Sequence, residues 1–362
     1  MENMEYLLAL HSVNGLGPVR LKALLQYFKD PKEAWETNPQ EFLKVGIPQN
    51  VVELFKETRK KLDPEKYVGD IKKSGISWIT IFDENYPKLL KEIYDPPTIL
   101  FYKGEIKDSD KKAIAVVGTR KMTSYGKLVT EKITKELVGF GVTVVSGLAR
   151  GVDTESHRCA ISANGRTLAV LGGGLKNVFP PENIELAKKI SSGFGAIISE
   201  FPPSHLSLPG NFPARNRIIS GLSKGVLVTE AAEDSGSLIT ARLALEQGRD
   251  VFAVPGPITS DLSKGPSVLI KQGAKLVTSA EEILEELGWE QSQVARVKSQ
   301  VDLKLTDNEK RILESLENEN KHIDDLCREL NLSAAIISAS LIKMEIVGLI
   351  KNLGGGSYLK IC

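Results

Sequence analysis

The stretch AIAVVGTRKMTSYGKLVTEKITKELVGFGVTVVSG, residues 113–147, decides the fold class. It opens on an apolar run, AIAVVG (113–118), and closes on another, VTVVSG (142–147). Between them YGKLVTEKITKELVGF carries a helical pattern. An apolar strand, a helix and a second apolar strand form the unit of a parallel sheet covered on both faces. Working outward, the same kind of run recurs as TLAVLG (167–172), AIISE (196–200), GVLVTE (225–230), DVFAVPG (250–256) and KLVTS (275–279). Helical patterns such as SLITARLALEQG separate most of them. The expectation is an α/β domain over 71–288: a Rossmann-like, mostly parallel sheet with helices on both faces. Its opening, GISWITIFDENYPKLLKEIYDPPTILFYKGEI, adds two short strand-like runs around a Pro-rich bend.

Smaller regions flank this domain. Residues 1–70 contain LLALHSVNGLGPVRLKALLQYF, which reads as helix, glycine turn, helix, with Pro18 suited to the first helical position. Helix–hairpin–helix (SAM-like) modules have this form. The region holds 10 basic and 11 acidic residues, so it lacks the basic footprint of a DNA reader. We read it as a helical hairpin whose glycines permit close packing. A polar linker is expected at 289–302. Residues 303–362 read as three helices and a hairpin with a Gly turn, the pattern of a winged helix. The helix that would read DNA carries one lysine, Lys343, which favours a protein-contact or structural role.

With 362 residues, 41% hydrophobic, the chain can bury a sizeable core. A net charge of +1 means that any anion site must be local. Cys159, Cys327 and Cys362 form no CxxC pair, and the four scattered histidines form no zinc pattern. We expect no metal and no cofactor. The opening MENMEYLLALHSV lacks the regions of a signal peptide, and no apolar run reaches bilayer length, so a cytoplasmic chain with no membrane partner is expected.

In parallel α/β sheets ligands gather at the carboxyl ends of the strands. The first strand ends in Gly118-Thr119-Arg120, where a dinucleotide site would need G-x-G-x-x-G. No acidic residue lies between Asp110 and Glu131, which suits an anion gripped by Arg120. The second strand ends in SGLARGVDTESH, where Ser146, Gly147 and Gly151 could form a backbone nest for an anion. Asp153 and His157 follow at i, i+4, but Ser146 lacks the G-x-S-x-G elbow, so we assign no catalytic residue. The third strand ends in three glycines, Gly172 to Gly174, of which Gly173 is the candidate for close approach of a ligand.

FPARNRIISGLS (212–223) follows the fourth strand, just before an expected helix, in a stretch with no acidic residue between Glu200 and Glu230. Phe212 could stack a base; Arg215, Asn216, Arg217 and, just beyond, Lys224 could hold the flanking backbone. One of the two arginines is expected to be structural. Stacking combined with phosphate contacts suits a single strand better than a duplex.

Taken together, VVGTR, SGLARGVDTESH, FPPEN, SEFP, FPARNRIISGLS, TEAAEDSGSLITARLALEQGRDVFAVPG and LIKQGA resemble the DNA processing protein A family (DprA, also called Smf). They run in family order over roughly 117–276. The resemblance implies a non-enzymatic bacterial protein that binds incoming single-stranded DNA, shields it and loads the RecA recombinase during natural transformation. It puts weight on Arg120 and Phe212. It also implies a homodimer through the distal part of the sheet domain, around Val268, Ile270 and Leu276. Pro209 and Pro181 stand where the family often has basic residues, and Gly265-Pro266-Ser267 departs from the usual G-x-N. Two rival readings are a nucleotide phosphoribohydrolase-type enzyme, suggested by TEAAEDSGSLITARLAL, and a scaffold acting through its winged helix and dimer surface.

Overall fold

The computed structural model describes residues 3–289, 306–317, 319–346 and 349–360. The chain divides into two compact units, Met1–Ala295 and Arg296–Cys362. The expected linker lies, apart from Trp289, outside the described residues.

The first unit opens with six helices: α1 (Met4–His11), α2 (Pro18–Phe28), α3 (Pro31–Glu36), α4 (Glu41–Lys44), α5 (Gln49–Lys61) and α6 (Pro64–Lys73). Proline stands at the start of α2, α3 and α6, where its missing N–H costs nothing. Asp30 and Asp63 cap α3 and α6 through the amides of Lys32 and Lys66. Leu7, Leu21, Leu24, Phe42 and Phe55 bury themselves in one cluster with Ile99, Phe101, Ala169 and Ile197 of the sheet. The boundary at residue 70 therefore separates secondary structure rather than packing.

The sheet domain runs β1 (Ser77–Thr80), α7 (Lys88–Lys91), β2 (Ile99–Gly104), β3 (Ala113–Val117), α8 (Ser124–Gly139), β4 (Thr143–Ser146), α9 (Val152–Ser162), β5 (Thr167–Val170), α10 (Ile184–Lys189), β6 (Gly195–Ser199), α11 (Asn211–Gly221), β7 (Gly225–Val228), α12 (Gly236–Glu246), β8 (Asp250–Ala253), α13 (Lys264–Lys271), β9 (Lys275–Leu276) and α14 (Ala280–Glu286). All seven expected runs are strands. Each ends one to three residues early, where the chain leaves the ladder to form the rim. The order is β1-β2-β6-β5-β4-β3-β7-β8-β9. Pairing is parallel from β6 to β9, while β1 and β2 add antiparallel strands at one edge.

The alternation of β3 shows why both faces must be covered. Ala113, Ala115 and Val117 pack with Ile218 of α11 and Leu238 of α12. Ile114 and Val116 pack with Ile133 and Leu137 of α8 and Ile283 of α14. No helix among the described residues is long and apolar enough to cross a membrane.

The second unit holds α15 (Asp307–Ser315), β10 (Lys321–His322), α16 (Ile323–Leu330), α17 (Ala334–Ile346), β11 (Ile350–Gly354) and β12 (Ser357–Lys360). Its strands pair in the order β10-β12-β11. Ile312, Leu326, Ile337, Leu341 and Ile350 form its core, the arrangement expected of a winged helix. Lys343 of α17 is tied to Glu309 at 2.8 Å.

Candidate nucleic-acid interface

Strand order reverses between β3 and β7, and the crevice at their carboxyl ends is where such sheets bind ligands. Here the protein fills the crevice itself. Glu230, just beyond β7, accepts hydrogen bonds from the Thr123 amide at 2.9 Å and the Thr123 hydroxyl at 2.6 Å, at the start of α8. A carboxylate thus stands at the helix N-terminus that would otherwise receive a nucleotide phosphate. Glu230 is a capping group.

The Gly118-Thr119-Arg120 turn is clamped on both sides. The Thr119 amide donates to the Glu230 carbonyl at 2.6 Å, and the Val152 amide donates to the Thr119 carbonyl at 3.1 Å. Gly151, at φ 74°, lies so close that a Cβ there would collide with the Thr119 carbonyl. The clamp leaves the Arg120 side chain exposed, with no hydrogen bond or ion pair among the described residues. Its guanidinium lies 5.7 Å from the centre of the Phe212 ring, over the face. Phe212 is half-buried in the first turn of α11. It rests on Gly172, where a Cβ would come within 2.8 Å of the ring. The glycine run after β5 therefore admits the protein's own aromatic ring. Gly173 in the same way faces Ser207.

Several sequence expectations need correction. FPARNR lies within α11, not ahead of a helix. Arg215 and Arg217 are both buried, at 3% and 7% exposure, so both are structural rather than one. Arg217 grips Glu200 through two bonds of 2.7 Å and Asp95 through a third of 2.8 Å. Arg215 donates to the Val170 carbonyl and lies beside Gly147 and Asp153. Burial lowers its pKa to about 10, with Asp153 opposing and Arg120 adding to the fall. A buried cation is poorly screened, so Arg215 adds positive field near Arg120.

Asn216 is mid-helix, and its side chain donates to the Gly236 carbonyl at 3.4 Å, at the start of α12. Lys224 precedes β7 and bonds to Ala113 at the start of β3, which puts it at the opposite, amino edge of the sheet. The nest after β4 is already occupied: Asp153 accepts from the amides of Gly147 at 3.1 Å and Ala149 at 3.3 Å. Ser146 is buried and donates to the Val116 carbonyl. His157 pairs with Thr167 at 2.7 Å instead of Asp153, so Ser146, Asp153 and His157 form no relay. The region also contains two residues that sequence reasoning missed, Phe179 and Arg150. Their motifs, FPPEN and LARG, carried the signal.

His157 and His11 are buried, and burial holds their pKa values down to about 3 and about 4, from 6.5. The unfolded chain binds these protons near pH 6.5, whereas the folded chain resists them. Their stabilising contribution is therefore complete above pH 6.5 and falls as the pH drops towards 4. Each should remove about 1.4 kcal/mol per pH unit across that window. Urea midpoints measured from pH 7.5 to 5 should fall, and His157→Asn should flatten the slope. An equally steep slope in that variant would rule out His157 as a contributor.

The family model described as DNA recombination-mediator protein A matches residues 77–288. The chain belongs to this family. The DprA winged helix domain model matches residues 298–356 of the same chain. Protein Smf of Synechocystis sp. is 36% identical, covering 99% of both chains. The X-ray structure of DNA processing protein A from Streptococcus pneumoniae aligns with a TM-score of 0.69 at 38% identity, covering 79% of this chain and 99% of that one. DNA processing protein A from Helicobacter pylori, whose structure is described by its single-stranded DNA binding mode, aligns with a TM-score of 0.53 at 28% identity, covering 60% and 97%.

Proposed function

We propose that this DprA-family protein binds single-stranded DNA along the carboxyl rim of its sheet, protects it, and loads the RecA recombinase onto it during natural transformation or recombination. The observation that carries this reading is the exposed Arg120 guanidinium over the Phe212 ring, without an ion-pair partner among the described residues. A base can take the ring face that Arg120 covers, releasing the guanidinium to the adjacent phosphate. The likeness to the Helicobacter pylori protein supports the same reading.

The chain acts in the cytoplasm, as a homodimer. Leu276 supports dimerisation: it is 45% exposed on β9, the edge strand of the sheet. Val268 and Ile270 are half-buried on α13 nearby in sequence. The winged helix contacts protein rather than DNA, since its one reading-helix lysine is held by Glu309.

No catalytic step is assigned to the rim, because Glu230 caps α8 and Asp153 fills its own nest. Release of free base from a nucleotide by the purified chain would favour the phosphoribohydrolase alternative.

Fluorescence anisotropy with oligo-dT and a matched duplex, across a salt series, tests the binding. Wild type should prefer the single strand. Arg120→Ala should weaken binding and reduce the salt slope by about 0.7, one phosphate's worth for a single strand. Equal affinity for duplex, or an unchanged slope in the variant, would remove Arg120 from the DNA path.

A further inference from the structure

The rim does not end at Phe212. Phe179 stands 5.9 Å from it, ring centre to ring centre, at a tilt of 48°. The Arg150 guanidinium lies 5.9 Å from the Phe179 ring, over its face. Four side chains thus form one row: Arg120, Phe212, Phe179, Arg150. Each aromatic ring has its own guanidinium. They come from four separate segments, after β3, in α11, after β5 and before α9.

Phe179 is 45% exposed, a large apolar ring that the core does not use. Arg150, unlike Arg120, has a partner: its Nε donates to Glu182, three residues beyond Phe179. Both members are about half exposed, at 54% and 51% of their side-chain surface. An exposed pair of this kind contributes little to stability and is easily exchanged. Glu182 therefore holds Arg150 where a phosphate could replace it.

The geometry points to a second nucleotide subsite: Phe179 stacks the base next to the one on Phe212, and Arg150 leaves Glu182 to bind that nucleotide's phosphate. This rests on the rim being the DNA path proposed above. It assigns Glu182 the role of an internal competitor that lowers affinity until a strand arrives. The cation the row needs at its far end is thus supplied by Arg150, although Pro181 beside it brings none.

The test uses the full chain, labelled oligo-dT of increasing length, and anisotropy across a salt series. Phe179→Ala should weaken binding of long oligomers by roughly 5- to 150-fold, the effect of one lost base stack. Phe179→Leu, which keeps apolar bulk without a π-face, should lose most of the same affinity. Glu182→Gln should do the opposite. It should tighten binding and leave the salt slope close to wild type, because Arg150 meets the same phosphate in both but no longer has to leave a carboxylate first. Thermal midpoints of all three should match wild type, since these side chains are exposed.

Unchanged affinity in both Phe179→Ala and Glu182→Gln would overturn the second subsite. If Phe212→Ala still weakens binding in the same assay, the rim reading survives that failure. If wild type binds no oligo-dT at any length, both fall.

Discussion

Arg217→Ala should destabilise the protein by about 3–5 kcal/mol, the usual cost of removing one partner of a buried ion pair. Arg217 and Glu200 are each 7% exposed. The guanidinium meets the Glu200 carboxylate through two parallel bonds of 2.7 Å and reaches Asp95 with its Nε at 2.8 Å. Alanine would strand the Glu200 charge away from water. Arg217→Lys should recover only part of the loss, because an ammonium cannot reproduce the two-pronged geometry. Replacing the pair together, Arg217→Met with Glu200→Leu, should cost far less than Arg217→Ala, since no buried charge remains. Urea unfolding of the full chain measures all three. Under conditions where the variants stay folded, oligo-dT affinity should be close to wild type. A large loss of DNA binding without loss of stability would show that Arg217 acts on the strand.

Phe212→Ala should cost about 1–3 kcal/mol of single-strand affinity, the range for one stacked base. The salt slope should stay where it is, because phenylalanine neutralises no phosphate. That separates it from Arg120→Ala, where the slope changes. Duplex binding should be little affected, since paired bases offer no free face to the ring. Phe212 also rests against Gly172, so a leucine variant serves as a packing control. Leucine should keep stability and still lose most of the affinity. If alanine and leucine both leave oligo-dT binding intact, the base does not stack there.

These two residues stand five apart in one helix, yet one is at the rim and the other in the interior. The sequence could not separate them. FPARNR shows two arginines in a stretch free of acids from 201 to 229, and on that evidence either could face a ligand. The partners lie elsewhere: Glu200 borders the stretch, and Asp95 is 122 residues from Arg217. Lys224 is a similar case. Its position after FPARNRIISGLS suggested the rim, but a helix carries the chain from the carboxyl to the amino edge before the next parallel strand begins. The glycines of the rim were conspicuous, but their purpose was not. Gly172 and Gly173 accommodate Phe212 and Ser207, and the amide of Gly147 serves Asp153.

What could be read from residue order was local or periodic. Apolar β runs alternating with helices led to the parallel sheet, because a strand buried on both faces must be apolar throughout. The Gly-Thr-Arg turn and the missing dinucleotide fingerprint led away from a nucleotide site. Even the winged helix was legible from helix periodicity and a glycine turn. Which cations meet solvent was settled by folding, because a guanidinium faces inward only where distant carboxylates or carbonyls converge to replace its water. Glu200 and Asp95 converge on Arg217, Val170 supplies a carbonyl to Arg215, and Arg120 finds no such partner among the described residues, so it alone of the three remains in water over Phe212.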